Sequence, residues 1–142
     1  MRALLDVNML IALLDEAHSL HAPATQWFAQ HASNGWASCP ITQNGCVRIM
    51  SHPGYANTQP THAIMARLSE ATQQAEHEFW PDSLSLLNPE VADSSRIHGP
   101  RQLTDIYLLA LAVRHQGRLV TFDKSIAINA VRGAQQTHLL TL

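Results

Sequence analysis

The 142-residue sequence predicts an α/β fold, a single domain built as an α/β sandwich with a mainly parallel central sheet. Three observations predict it. Short apolar runs of strand length alternate with longer stretches of helical periodicity. Two of those runs, residues 2–6 and 118–123, drive straight into an aspartate, as a buried parallel strand does when its C-terminal end carries an acid. Residues 104–115 are apolar nearly all round, the pattern of a helix buried at the domain centre. The length suits one domain, residues 1–142, and there is no internal repeat or low-complexity segment.

The elements follow in order. Residues 2–6 read as a strand. Asn8 can cap a helix over Met9 to Leu14 through its side-chain oxygen. Pro23 suits the first turn of a helix over residues 21–32, with Ala24, Trp27, Phe28 and His31 at helical spacing, and Asn34-Gly35 stops it. Trp36 to Ser38 is a second strand. Pro40 opens a helix that runs to Ser51, where His52-Pro53-Gly54 ends it. Ile64, Leu68, Ala71 and Ala75 mark one face of a helix over 61–75. Glu78 to Trp80 is a short strand, and residues 81–102 form a loop rich in turn residues. The apolar helix 104–115 ends at Gly117. Strands at 118–122 and 138–142 complete the chain.

Composition narrows the function classes. Hydrophobic residues make up 46% of the chain, a globular value. The formal charge of -2 lacks the basic excess typical of nucleic-acid binders, although local patches act without net charge. Cys39 and Cys46 form no metal-type pair and read as buried thiols in a reducing compartment. No apolar run approaches the ~20 residues of a membrane span, and the N-terminus is too short in apolar residues for a signal peptide. These features predict a cytoplasmic protein. The nine histidines form no H-x-x-x-H or H-E-x-x-H pattern and read as surface residues.

Of the eleven acids, Asp15, Glu16, Glu70, Glu76, Glu78, Asp82, Glu90 and Asp93 lie among polar neighbours and read as solvated surface. Three differ. Asp6 and Asp123 terminate apolar strands, and in a parallel sheet the strand C-termini share the edge where ligands bind. Asp105 opens the most apolar helix, where an unpaired carboxylate is costly. If all three meet, they repel one another and need protonation or a cation. All-oxygen ligation favours Mg²⁺ or Mn²⁺ over zinc, and such a site suits metal-assisted phosphoryl chemistry.

Four segments carry a resemblance: Leu-Leu-Asp-Val-Asn-Met-Leu-Ile (4–11), Cys-Pro-Ile-Thr-Gln-Asn-Gly-Cys-Val-Arg-Ile (39–49), Leu-Thr-Asp-Ile-Tyr-Leu-Leu-Ala-Leu-Ala (103–112) and Leu-Val-Thr-Phe-Asp (119–123). In this order they resemble the motifs of PIN-domain ribonucleases, above all the VapC-type toxins of toxin–antitoxin pairs. The resemblance implies a compact α/β/α sandwich, a Mg²⁺- or Mn²⁺-dependent endoribonuclease acting on RNA, a small cognate antitoxin as inhibitor, and a homodimer. It implies Asp6 and Asp105 as the principal metal ligands. Asp123 would hold a second ion or orient the attacking water, and Asn8 would steady Asp6. Many family members carry a glutamate where this chain has Gln43, an amide without charge that cannot act as a base.

Among the cations, Arg48 and Lys124 are candidates for phosphate contact, and Arg96 and Arg101 lie in the loop before Asp105. Trp27, Phe28 and Trp36 read as core or partner-facing, and an exposed aromatic patch on the first two helices could seat an antitoxin helix or a second protomer. Two other readings stay open. One is a catalytically silent PIN-like module that binds RNA or protein, supported by Gln43. The other is an aspartyl-nucleophile phosphatase, which wants an acid where Asn8 stands.

Overall fold

Successive residues of a strand face opposite sides of the sheet, and in this chain both sides are apolar. The computed structural model describes residues 1–142. In strand β1 (Ala3–Leu5), Leu4 joins one hydrophobic cluster and Leu5 the other. The same split separates Leu119 from Val120 in β4 (Arg118–Thr121). Strands buried on both faces need a helical layer on each, and the chain supplies them. Helices α1 (Val7–Leu14), α2 (His21–His31), α3 (Pro40–Met50) and α4 (Thr61–Thr72) contribute to the cluster around Leu5. Helix α5 (Leu103–Arg114) covers the Leu4 face, burying Ile106 through Ala112 without interruption. The expected α/β/α sandwich is what forms.

With β2 (Trp36–Ser38), β3 (His77–Phe79) and β5 (Leu139–Thr141), the sheet has five strands in the order β3-β2-β1-β4-β5, and every pairing is parallel. The chain builds outward from β1 through β2 to β3, then returns to the other side of β1 for β4 and β5. Strands β1 and β4 are therefore central neighbours, and Leu5 lies in register with Val120. No helix is long and apolar enough to cross a membrane.

Several details depart from the expectations. The first helix starts at Val7, and its N-cap is Asp6, whose side chain accepts from the Met9 N–H. Asn8 is an exposed residue of the first turn and caps nothing. Helix α4 ends at Thr72, because the chain must turn at 73–76 to bring Glu76 C=O onto the Trp36 N–H and start β3 at His77. In α5 the left-handed turn falls on Gln116 (φ 55°); Gly117 is needed for space, since a Cβ there would lie 2.5 Å from the Arg2 carbonyl oxygen. Trp27 and Trp36 are buried, at 9% and 2% exposure, so no aromatic patch is open on the first two helices. What remains there is an apolar groove of about 230 Å³, in which Leu13 and Leu14 of α1 and Phe28 of α2 face Ala71 of α4. Both cysteines are buried and free, as expected.

Candidate active site

The return of the chain to β4 beside β1 makes a topological switch point, the place where open parallel sheets bind ligands at their strand C-termini. Asp6 follows β1 and Asp123 follows β4 by two residues. The first turn of α5 brings Asp105 to them: the Asp105 carboxyl lies beside that of Asp123, and both Asp6 and Asp123 act on it by charge. The three sequence-predicted acids therefore lie in one neighbourhood at the sheet edge, Asp105 and Asp123 side by side and Asp6 behind them. Asp105 and Asp123 line a cleft of about 220 Å³ with Arg101, Gln102, Ser125 and Ile126. Asp6 is 5% exposed and is not on the cleft wall.

Each acid is held by local hydrogen bonds. Asp6 Oδ1 accepts from the Met9 N–H at 2.7 Å, and Oδ2 accepts from the Thr121 hydroxyl. Thr121 Oγ1 in turn accepts the Asp123 N–H at 3.0 Å, so one hydroxyl ties two acids together. Asp123 Oδ1 accepts both the Ser125 N–H at 2.8 Å and the Ser125 hydroxyl at 2.6 Å. Sequence reasoning passed over Thr121 and Ser125. The available signal was the spacing Thr121-x-Asp123-x-Ser125, with hydroxyls two residues to either side of the acid.

The electrostatics sort the acids by proton affinity. Burial pushes the Asp6 carboxyl up, against the Thr121 and Met9 hydrogen bonds, and Asp123 adds repulsion. Burial also pushes Asp105 up, to about 6, helped by its hydrogen bond to Asp123 and by the charges of Asp6 and Asp123. Asp123 goes the other way: the Ser125 hydroxyl and N–H hold it below the usual carboxylate range in spite of burial. Asp105 therefore holds a proton more readily than Asp123 does.

This arrangement also tests the fit of a metal. No three His, Cys, Asp or Glu side chains stand close enough together to close a cage by themselves. Asp105 and Asp123 face each other on the cleft wall and the nearby carboxylates raise the Asp105 pKa, so a hard cation seated between the two would relieve that repulsion. The donors are all oxygens, which suits Mg²⁺ or Mn²⁺, and such ions keep several waters. The residues fit a partly hydrated divalent ion.

The other candidates lie elsewhere. Gln43 turns away from the cleft: its Nε2 donates to Ser38 Oγ at 2.9 Å, and Ser38 Oγ lies 2.8 Å from His77 Nε2. It lines a separate cavity between α3 and α4 with Asn44, Met65 and Ser69. Arg48 lines a further cavity, with His52 and Tyr55. Lys124 and Asn8 are exposed and outside the cleft. Arg96 is ion-paired to Asp93 at 3.3 Å. Asp15, expected on the solvated surface, is 4% exposed and accepts from Tyr55, Asn57 and the Ala17 N–H.

A parallel sheet carrying a carboxylate cluster at its switch point defines a class, and comparison with known proteins gives that class a family. The PIN domain matches residues 3–131. Ribonuclease VapC44 of Mycobacterium tuberculosis is 53% identical over 142 residues, 100% of both chains. Ribonuclease VapC39 of the same organism is 47% identical over 134 residues, 94% of this chain and 96% of the relative. Among solved structures, VapBC2 from Rickettsia felis, bound to a DNA fragment from their promoter, matches with a TM-score of 0.57 at 13% identity, covering 87% of this chain and 89% of that one; the likeness is one of fold. The chain belongs to the PIN-domain family, and within it to the VapC-type ribonucleases.

Proposed function

We propose that the protein is a Mg²⁺- or Mn²⁺-dependent endoribonuclease, the toxin of a toxin–antitoxin pair. The observation that carries the reading is the placement of Asp6, Asp105 and Asp123 at one sheet edge, with Asp105 and Asp123 together on the cleft wall and Asp6 behind them. Asp105 and Asp123 would hold the ion, and Asp6 would add charge from behind. When bound, such an ion supplies a water of lowered pKa and neutralises charge building on a phosphodiester.

The chain's own residues do the positioning. Ser125 favours the ionised form of Asp123 and fixes its orientation, so that it can hold the ion and orient the attacking water by a hydrogen bond. Met9 and Thr121 clamp Asp6 in one geometry, which keeps its charge behind the pair. The reading brings with it a small cognate antitoxin, a homodimer and a cytoplasmic location beside the RNA.

One observation favours a second reading, a silent RNA- or protein-binding module. Gln43 supplies no charge and its amide is bound to Ser38. The phosphatase reading loses its support, because Asn8 is no acid and faces solvent on α1. Incubation of the protein with cellular RNA in Mg²⁺, in Mn²⁺ and in EDTA separates the first two. The nuclease reading predicts discrete fragments in either metal and none in EDTA. RNA that is bound but intact in all three would establish the silent module instead.

A further inference from the structure

We propose that Arg101 anchors an RNA phosphate beside the Asp105–Asp123 pair, which makes it the substrate-positioning cation of the cleft. The inference rests on the endoribonuclease reading and adds to it the residue that holds the substrate backbone.

The argument begins with repulsion. A cleft walled by two carboxylates, with a third buried behind them, disfavours a polyanion unless a cation meets it. Among the side chains lining the cleft, Arg101 is the single cation. It is not there to neutralise the acids, because the ion pairs of the structure are Arg2–Glu78, Arg96–Asp93 and Arg132–Asp93, and Arg101 is in none of them. Its side chain is exposed and makes no hydrogen bond to the protein, so all its donors are available. A guanidinium stays charged at any working pH and presents a planar fork that matches two phosphate oxygens.

The backbone beneath it is held firmly. Arg101 sits in a single turn of 3-10 helix, Pro100–Gln102, that runs directly into α5. Pro100 fixes the first φ of that turn. The Gln102 N–H reaches the Gly99 carbonyl at 3.2 Å, and Gln102 Oε1 accepts the His98 N–H at 2.8 Å. Asp105 lies four residues on, one helical turn away, so the cation and the acid share one rigid base. The other two loop cations do not compete for the role: Arg96 is bound to Asp93, and Lys124 is outside the cleft.

Fluorescence anisotropy with a labelled single-stranded RNA of about twenty nucleotides, in EDTA so that nothing is cut, tests this on the full chain. Wild type is compared with R101A, R101K and R114A. Arg114 is the control: it is exposed, in no ion pair, and at the far end of the same helix. R101A is expected to bind roughly tenfold more weakly and to reduce the slope of log K against log salt by about 0.7. R101K should keep the slope with weaker binding, and R114A should match wild type. In Mg²⁺, R101A should raise KM more than it lowers kcat.

An R101A protein with wild-type affinity and slope would overturn the inference. So would an R101K protein that loses the slope, or an R114A protein that weakens as much as R101A. These failures leave the nuclease reading standing if wild type cuts RNA. A wild type that neither binds nor cuts RNA would overturn that reading itself, and the inference with it. Thermal melting of R101A should equal wild type, since the exposed side chain has no hydrogen bond or ion pair to lose.

Discussion

Asp6 has two jobs that pull against each other. As the N-cap of α1 it satisfies an orphan N–H and contributes about 1 kcal/mol to stability. As a member of the acid cluster it brings a buried charge near two others, which costs stability. Asn8 stands where a capping amide would precede Met9, but Asp6 already holds the cap position. Asp15 shows the opposite kind of surprise. It lies in a polar run, Asp-Glu-Ala-His, and its partners Tyr55 and Asn57 are 40 and 42 residues away, so no local pattern marks it. Burial disfavours its charge, yet the Tyr55, Asn57 and Ala17 donors and the nearby His18 more than compensate and hold its carboxyl below the usual range. A group whose pKa is lowered on folding stabilises the native state above its unfolded value, about 4, and loses that contribution as the pH falls through the folded value. Chemical denaturation of Asp15→Ala should therefore show a loss of roughly 1–3 kcal/mol at neutral pH that shrinks below pH of about 4. A loss independent of pH would contradict this account of Asp15.

At the scale of elements, the lengths of α2 and α3 were legible because Pro23, Pro40, Asn34-Gly35 and His52-Pro53-Gly54 punctuate the chain, and each acts locally. The short edge strands β3 and β5 were less distinct, being only three residues each and partly exposed, with no continuous apolar run. The close packing of α3 on α1 could not be read locally, because it depends on one glycine. A Cβ on Gly45 would lie 2.7 Å from Val7 Cγ2, and Val7 is the residue after Asp6. Alanine would gain about 1 kcal/mol of helix propensity. Overpacking against a stiff β-branched side chain typically costs about 1–3 kcal/mol, so the cost prevails. Gly45→Ala is expected to lower stability by about 1 kcal/mol net and to slow RNA cleavage through displacement of the Asp6 turn. A variant as stable and active as wild type would show that α1 and α3 can separate without cost.

At the scale of the whole molecule, topology does what no single motif does. Asp6 and Asp123 are 117 positions apart, and β1 and β4 become neighbours only because the chain returns to the sheet centre. Their pairing could be inferred from two apolar runs ending in acids, and Asp105 from the cost of a carboxylate on an apolar helix. The orientation of Gln43 could not, since it depends on Ser38 and His77 from two other strands. The central claim is that these three acids together perform RNA cleavage. Its most direct measurement compares RNA cleavage in Mg²⁺ by wild type, Asp6→Asn and Asp105→Asn. Asparagine keeps the shape at both positions and can still cap α1. The account predicts that both variants melt near wild type and that cleavage falls on the order of a hundredfold in each. Folded variants that cut RNA as fast as wild type would contradict it.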